Sequence, residues 1–203
     1  MKRTLLLAML LVGIGQGFAQ KKVQPGVRGG LNVSGITNGD GSVKPDFYLG
    51  FQLPIKFSKL YTLQPELEYS RQGGKDVTLK YGNNWWWDDK KPVSYKGNLD
   101  LSYIELKAMS KFRFDKLNLQ AGPGLSFLTE GQKYTDFNFD LTLNVGIGYD
   151  ITEKLGVEAR YKIGFVSIVD NYWKYSEDSN HSYSDFRDNQ YNSVFQVGMT
   201  YTF

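Results

Sequence analysis

Charged residues in this 203-residue chain sit at alternate positions of short apolar runs, and that spacing decides what chemistry they could do. Glu66 and Glu68 lie two apart, and Arg28, Lys56, Glu105, Lys107, Lys111, Arg113, Asp140, Glu158, Arg160 and Lys162 fall in the same kind of pattern. Residues two apart in a strand project from one face. Two carboxylates on one face suit general acid–base catalysis. Any strand with a polar face produces that spacing, however, so Glu66 and Glu68 read as structural. If the polar faces turn inward, their charges must pair, because an isolated buried charge is very costly. The mixture of signs allows it. The expected network is Arg28, Glu66, Glu68, Glu105, Lys107, Arg113, Glu158 and Arg160. It should fill the middle rather than line an ion path, since side chains fill a small closed interior.

Two other groups could do chemistry. His181 is the one histidine, and Ser182, Asp178 and Asp185 are near it in sequence. A Ser–His–Asp hydrolase or acyltransferase needs such groups within hydrogen-bond reach, and a metal site would use the same ligand types. No nucleophile motif accompanies them, so His181 reads as a solvated loop residue, with neither a catalytic nor a metal role. The second group is aromatic. Trp85, Trp86 and Trp87 precede Asp88-Asp89 and Lys90-Lys91, and Tyr172, Trp173 and Tyr175 form a companion cluster. Exposed aromatics can stack on sugars or anchor a protein partner. They can also cap a barrel or sit in a headgroup layer.

Eight alternating segments must position these residues. They run over about 26–36, 47–57, 60–71, 101–114, 117–128, 139–151, 155–167 and 191–203. The last is the clearest. Tyr191, Ser193, Phe195, Val197, Met199, Tyr201 and Phe203 share one face, and Asn192, Val194, Gln196, Gly198, Thr200 and Thr202 the other. Pro54 and Pro65 fall in neighbouring segments, and prolines there suggest a bulge. Leu99 and Leu101 are out of phase with Ile104 and Leu106, which suggests a bulge or a late strand start. Tight turns at 58–59, 115–116 and 152–154 alternate with longer polar loops at 37–46, 72–98, 129–138 and 171–190. Short turns on one rim and long loops on the other, with apolar/polar alternation, is the pattern of an up-and-down transmembrane barrel. A soluble barrel would point its apolar faces inward. The polar faces argue against that, since they carry Gly30, Gly50, Gly122, Gly124, Gly146, Gly148, Gly164 and Gly198. Small residues suit a crowded interior and only weaken a solvent face.

Bulk properties agree. Mean hydropathy of −0.40 excludes a chain of apolar helices but not a barrel, which shows lipid only alternate residues. The chain carries 15% aromatic residues, favoured in strands and at membrane interfaces. Net charge is +3, and two of those charges are Lys2 and Arg3, so nothing points to nucleic acid. There is no cysteine, which excludes disulfides, thiolate metal sites and a lipid-anchored N-terminus. Residues 1–19 read as a secretory signal. Lys2 and Arg3 precede the short apolar stretch 5–14, and Gly17-Phe18-Ala19 offers small residues for cleavage before Gln20. Residues 20–203 then form one domain.

Three stretches carry a resemblance. Gly26-Val-Arg-Gly-Gly-Leu-Asn-Val-Ser34, Leu63-Gln-Pro-Glu-Leu-Glu-Tyr-Ser-Arg-Gln-Gly73 and Ser102-Tyr-Ile-Glu-Leu106 resemble the PorT-like outer-membrane β-barrel family of Bacteroidetes, in the right order over the mature chain. Lys107 and Ala108 replace the Pro-Leu that often follows the last motif. The resemblance implies an all-β fold, an eight-stranded antiparallel up-and-down transmembrane β-barrel in the outer membrane. The terminal Phe203 is similar to the signal by which outer-membrane proteins are recognised for assembly. The expectations are therefore Sec export, both termini in the periplasm, and delivery by the barrel-assembly machinery through the C-terminal strand. Lipid and lipopolysaccharide would surround the barrel, and no cofactor is called for. The favoured role is a non-enzymatic surface recognition, adhesion or envelope-stabilising module, with a glycan or protein as partner. The alternative is an accessory of secretion or envelope assembly; a narrow pore and a lipid-modifying enzyme follow.

Overall fold

Strict alternation of apolar and polar residues cannot be satisfied by a helix, and the regular structure among the described residues is all strand. The computed structural model describes residues 23–37, 41–81, 93–131, 139–166 and 191–203, with side chains at 78–81 and 93–95 left aside. The strands are β1 (Gly26–Thr37), β2 (Ser42–Gln52), β3 (Ile55–Lys56), β4 (Tyr61–Tyr81), β5 (Val93–Phe114), β6 (Leu117–Glu130), β7 (Phe139–Asp150), β8 (Leu155–Gly164) and β9 (Tyr191–Thr202). β3 is a two-residue continuation of β2, because both pair with β4. The others join antiparallel neighbours in chain order. β1 pairs with β9 from Gly26↔Thr202 to Thr37↔Tyr191, which closes a ring of eight staves, so the barrel wall has no free sheet edge.

The polarity runs apolar outward. Along β6 the residues alternate between exposed and buried almost without exception. Leu125, Leu143, Val145, Phe195, Val197 and Met199 are exposed, while Glu66, Glu68, Glu105, Arg28, Arg160 and Lys162 are buried. The inside is polar and the outside is oil, which is the arrangement of a barrel solvated by lipid.

Three details differ from the sequence expectation. The prolines make no bulge. The β2–β4 ladder stops at Gln52↔Glu66 and resumes in the same register at Ile55↔Leu63, with Leu53 N–H donating to the Pro65 carbonyl at 2.9 Å. The register shift falls higher, between Val43 and Tyr48. Second, β5 starts early rather than late; the expected bulge is present as a register shift against β6 between Ser102 and Tyr103, and β5 itself keeps its inward phase across it. Leu99 and Leu101 point inward in line with Tyr103 and Glu105, so they belong to the interior. Third, much of the stretch expected as a loop at 72–98 is strand. β4 and β5 stay paired to Tyr81↔Val93, across a register shift near Asp76. Twenty-one residues of β4 make about 70 Å of chain, where about ten tilted residues cross a bilayer. The β4–β5 ribbon therefore projects from the long-loop rim.

Candidate functional site

Among the described residues, buried titratable side chains converge in the interior. Inward positions of β1, β4, β5 and β8 set its chemistry. Arg28 on β1 lies beside Tyr48 on β2, with its guanidinium carbon 5.0 Å from the ring centre. The ring needs space, and Gly198 on β9 supplies it. The Tyr48 hydroxyl lies against Gly198, where a side chain would collide with it.

Arg28 is the hub of the lower part. Its guanidinium pairs with Glu66, with Glu68 at 2.9 Å and with Glu158 at 2.5 Å. Arg160 spans two of these three carboxylates, reaching Glu66 at 2.7 Å and Glu158 at 3.0 Å. Glu66 also accepts from Gln64 Nε2 at 2.6 Å. Further up, Glu68 and Glu105 face each other across the β4–β5 ladder. Two like charges so placed repel. Lys107 stands between them, 2.8 Å from Glu68 and 3.0 Å from Glu105. Lys162 pairs with Glu105 from the opposite wall. Amides add further bonds: Gln72 Nε2 donates to Glu105 at 2.5 Å, and Gln196 Nε2 to Glu68 at 2.8 Å and to Asn32 at 3.0 Å, while Arg28 Nε and Arg160 Nε are buried without a hydrogen-bond partner. These ion pairs are dry, with side-chain exposures of 0–2%. Such pairs hold only when geometry and hydrogen bonds offset desolvation, and here each carboxylate is bound from at least two sides.

Above this layer the lumen changes character. Val77, Leu99, Leu101 and Tyr103 form a buried apolar cluster, packed by Ile36 and Leu128. The Tyr103 ring marks the boundary, 5.9 Å from the Lys162 ammonium. Below the charges a cavity of about 40 Å³ lies at the short-turn end, with Gln52, Gln64 and Lys111 among its lining residues.

The structure brings together seven of the eight residues expected in the network: Arg28, Glu66, Glu68, Glu105, Lys107, Glu158 and Arg160. Arg113 does not join them. It lies at the short-turn rim, paired with Asp150 at 3.1 Å, with about a third of its side chain exposed. It is inward by parity but too near its strand end to reach the middle. Lys162 enters instead, and Lys111 approaches Glu158 at 3.8 Å. Lys111 shares the inward parity of Lys107, and Lys162 that of Glu158 and Arg160, which is the signal that could have found them. Asp140 holds the end of β8, accepting the Phe165 and Val166 N–H groups at 3.1 and 2.8 Å. Trp85, Trp86, Trp87, Tyr172, Trp173, Tyr175 and His181 lie outside the described residues. So do residues 1–19, which carry the signal reading. Among the described residues, no group of three or more His, Asp or Glu is placed to hold a metal ion.

A closed ring of antiparallel strands, oily outside and ion-paired inside, defines a small membrane barrel. The sequence model of the outer membrane protein beta-barrel domain matches residues 4–203, and the chain belongs to that family. Its address is therefore the outer membrane. No curated protein matches the sequence. Among solved structures, Neisserial surface protein A is similar, with 13% identity over 89% of this chain and 97% of that one and a TM-score of 0.50. The attachment invasion locus protein Ail of Yersinia pestis has 13% identity over 90% and 99%, with a TM-score of 0.47. OprG of Pseudomonas aeruginosa has 10% identity over 90% and 97%, with a TM-score of 0.46. Identities this low speak to the fold alone.

Proposed function

We propose that the chain is a non-enzymatic surface recognition module: a sealed barrel that anchors an outward ribbon and its loops. One observation carries this reading. The β4–β5 ribbon continues in paired register to Tyr81↔Val93, far past the length a bilayer needs, on a barrel whose middle is filled by ion pairs. A pore would need an open middle. An acyl-transfer or hydrolytic site would need a nucleophile and base within reach of each other, and the interior charges are engaged in pairs instead. In this reading the short turns and both termini face the periplasm, after Sec export with cleavage before Gln20. The assembly machinery takes the chain by the strand ending at Phe203. Trp85, Trp86 and Trp87 fall in sequence between the two strands of the ribbon, and in this reading the partner of the aromatic residues is a surface glycan, a protein or lipopolysaccharide.

The test removes the ribbon and keeps the barrel. Residues 76–97 are replaced by a short Gly-containing turn, and cells displaying each form are compared for binding to glycans, lipopolysaccharide and host-cell surfaces. Binding should be lost in the shortened form while its heat-dependent gel mobility, a sign of a folded barrel, is kept. Retained binding would overturn the reading. Planar-bilayer recordings of the full protein should show no steady conductance.

A second reading, an accessory of secretion or envelope assembly of the PorT type, is favoured by one feature: the short-turn rim holds a recessed, basic mouth.

A further inference from the structure

The mouth at the short turns is a cup on the barrel axis. Its inner wall takes inward positions from six staves, at Gln52, Thr62, Lys111, Asp150, Gly156 and Thr200. It opens to a cavity of about 540 Å³ beside Lys56, Arg113, Lys116 and Glu153. Six cations surround it: Lys56, Lys59, Lys111, Arg113, Lys116 and Lys154. Three carboxylates oppose them, Asp115, Asp150 and Glu153. One of these, Asp150, is already paired with Arg113 at 3.1 Å. The concave, low-dielectric wall concentrates the positive field that remains.

Lys111 gives the cup a floor. Its side chain is 12% exposed, and it lines the throat where the cup closes. Glu158 stands 3.8 Å away, beyond hydrogen-bond distance, and that carboxylate is already held by Arg28 and Arg160. The Lys111 ammonium thus has donors to offer toward the cup. A barrel needs no such arrangement for its own stability, because crowding like charges at one rim costs energy.

We propose that this mouth binds an acidic peptide segment of a partner protein. The site lies inside the ring of turns, whereas lipid headgroups pack outside the wall. Five of its six cations are lysines spread around the opening. Spread point charges suit several carboxylates along an extended segment, whereas one phosphate is better gripped by the fork of an arginine. The proposal goes beyond surface recognition and is independent of it, since ribbon variants leave this rim untouched.

The experiment uses the full-length mature protein in zwitterionic nanodiscs. A fluorescent poly-glutamate peptide is titrated and read by anisotropy, with poly-glutamine as the neutral control. Poly-glutamate should bind and weaken with salt, and poly-glutamine should not bind. The triple variant Lys56→Gln, Lys111→Gln, Lys154→Gln should weaken binding about tenfold. Lys96→Gln, at an exposed position on the far rim, should change nothing. If the triple variant fails to fold, judged by gel mobility, Lys154→Gln in its turn should still cost about threefold. Absence of poly-glutamate binding, or binding indifferent to these lysines, would overturn the proposal. Displacement by inorganic phosphate at the peptide's own concentration would reassign the cup to free anions. Loss of peptide binding when phosphatidylglycerol is added to the disc would reassign it to lipid.

Discussion

The lumen contains two tiers that obey different physics. In the charged tier, Arg28, Arg160, Lys107 and Lys162 meet Glu66, Glu68, Glu105 and Glu158 in a dry, fully connected set of pairs. In the apolar tier, Val77, Leu99, Leu101 and Tyr103 simply pack. Two strands run through both: β4 supplies Glu66 and Glu68 to the first and Val77 to the second, and β5 supplies Lys107 and Glu105 to the first and Tyr103, Leu101 and Leu99 to the second. Burial is as complete in one tier as in the other. The difference lies in what a defect leaves behind. Packing is non-directional, so a truncation leaves a hole. A deleted charge leaves its former partners buried and unpaired, which costs more.

The largest effect should come from Glu66→Ala. It removes the carboxylate that joins Arg28 and Arg160, and should destabilise the barrel by about 3–5 kcal/mol. Urea titration of the mature protein in lipid vesicles, followed by tryptophan fluorescence, measures it. A change below that of the apolar variant that follows would break the comparison. Leu101→Ala should cost about 2–4 kcal/mol by the same assay, with the charged tier intact. The smallest effect belongs to the outer rim, where Lys44 pairs with Asp46 at 2.9 Å and with Asp100, whose side chain is 53% exposed. Lys44→Gln should cost under about 1 kcal/mol, and the loss should shrink at high salt. A Lys44 effect as large as that of Glu66 would mean that burial does not set the scale.

Much of this was legible in local pattern. Phe195, Val197 and Met199 against Asn192, Val194 and Gln196 declares a two-faced strand before any partner is known, and seven of the eight segments repeat that rule cleanly. Arg113 and Leu101 show where local pattern stops. Arg113 has the right parity and the wrong height. Leu101 has the wrong polarity for an interior judged from its lower half, so its phase looked broken when it was continuous. The ribbon was hidden for a related reason. Residues 72–76 and 96–98 are rich in Gly, Lys, Asp and Asn and interrupt the alternation that Val77, Leu79 and Tyr81 and then Val93 and Tyr95 carry, yet each strand is held by backbone bonds to the other.

Side-chain period is a property of two bonded neighbours, so the sequence by itself determined which residues look inward, which meet lipid, and that the inward charges must find partners. Height and partner are properties of the closed ring. Arg28 and Glu158 are far apart along the chain and meet only because β1 closes on β9 while β8 sits beside it. The stagger set by that closure, and nothing local, decided which charge faces which, where the charges give way to leucine, and how many lysines gather at the mouth.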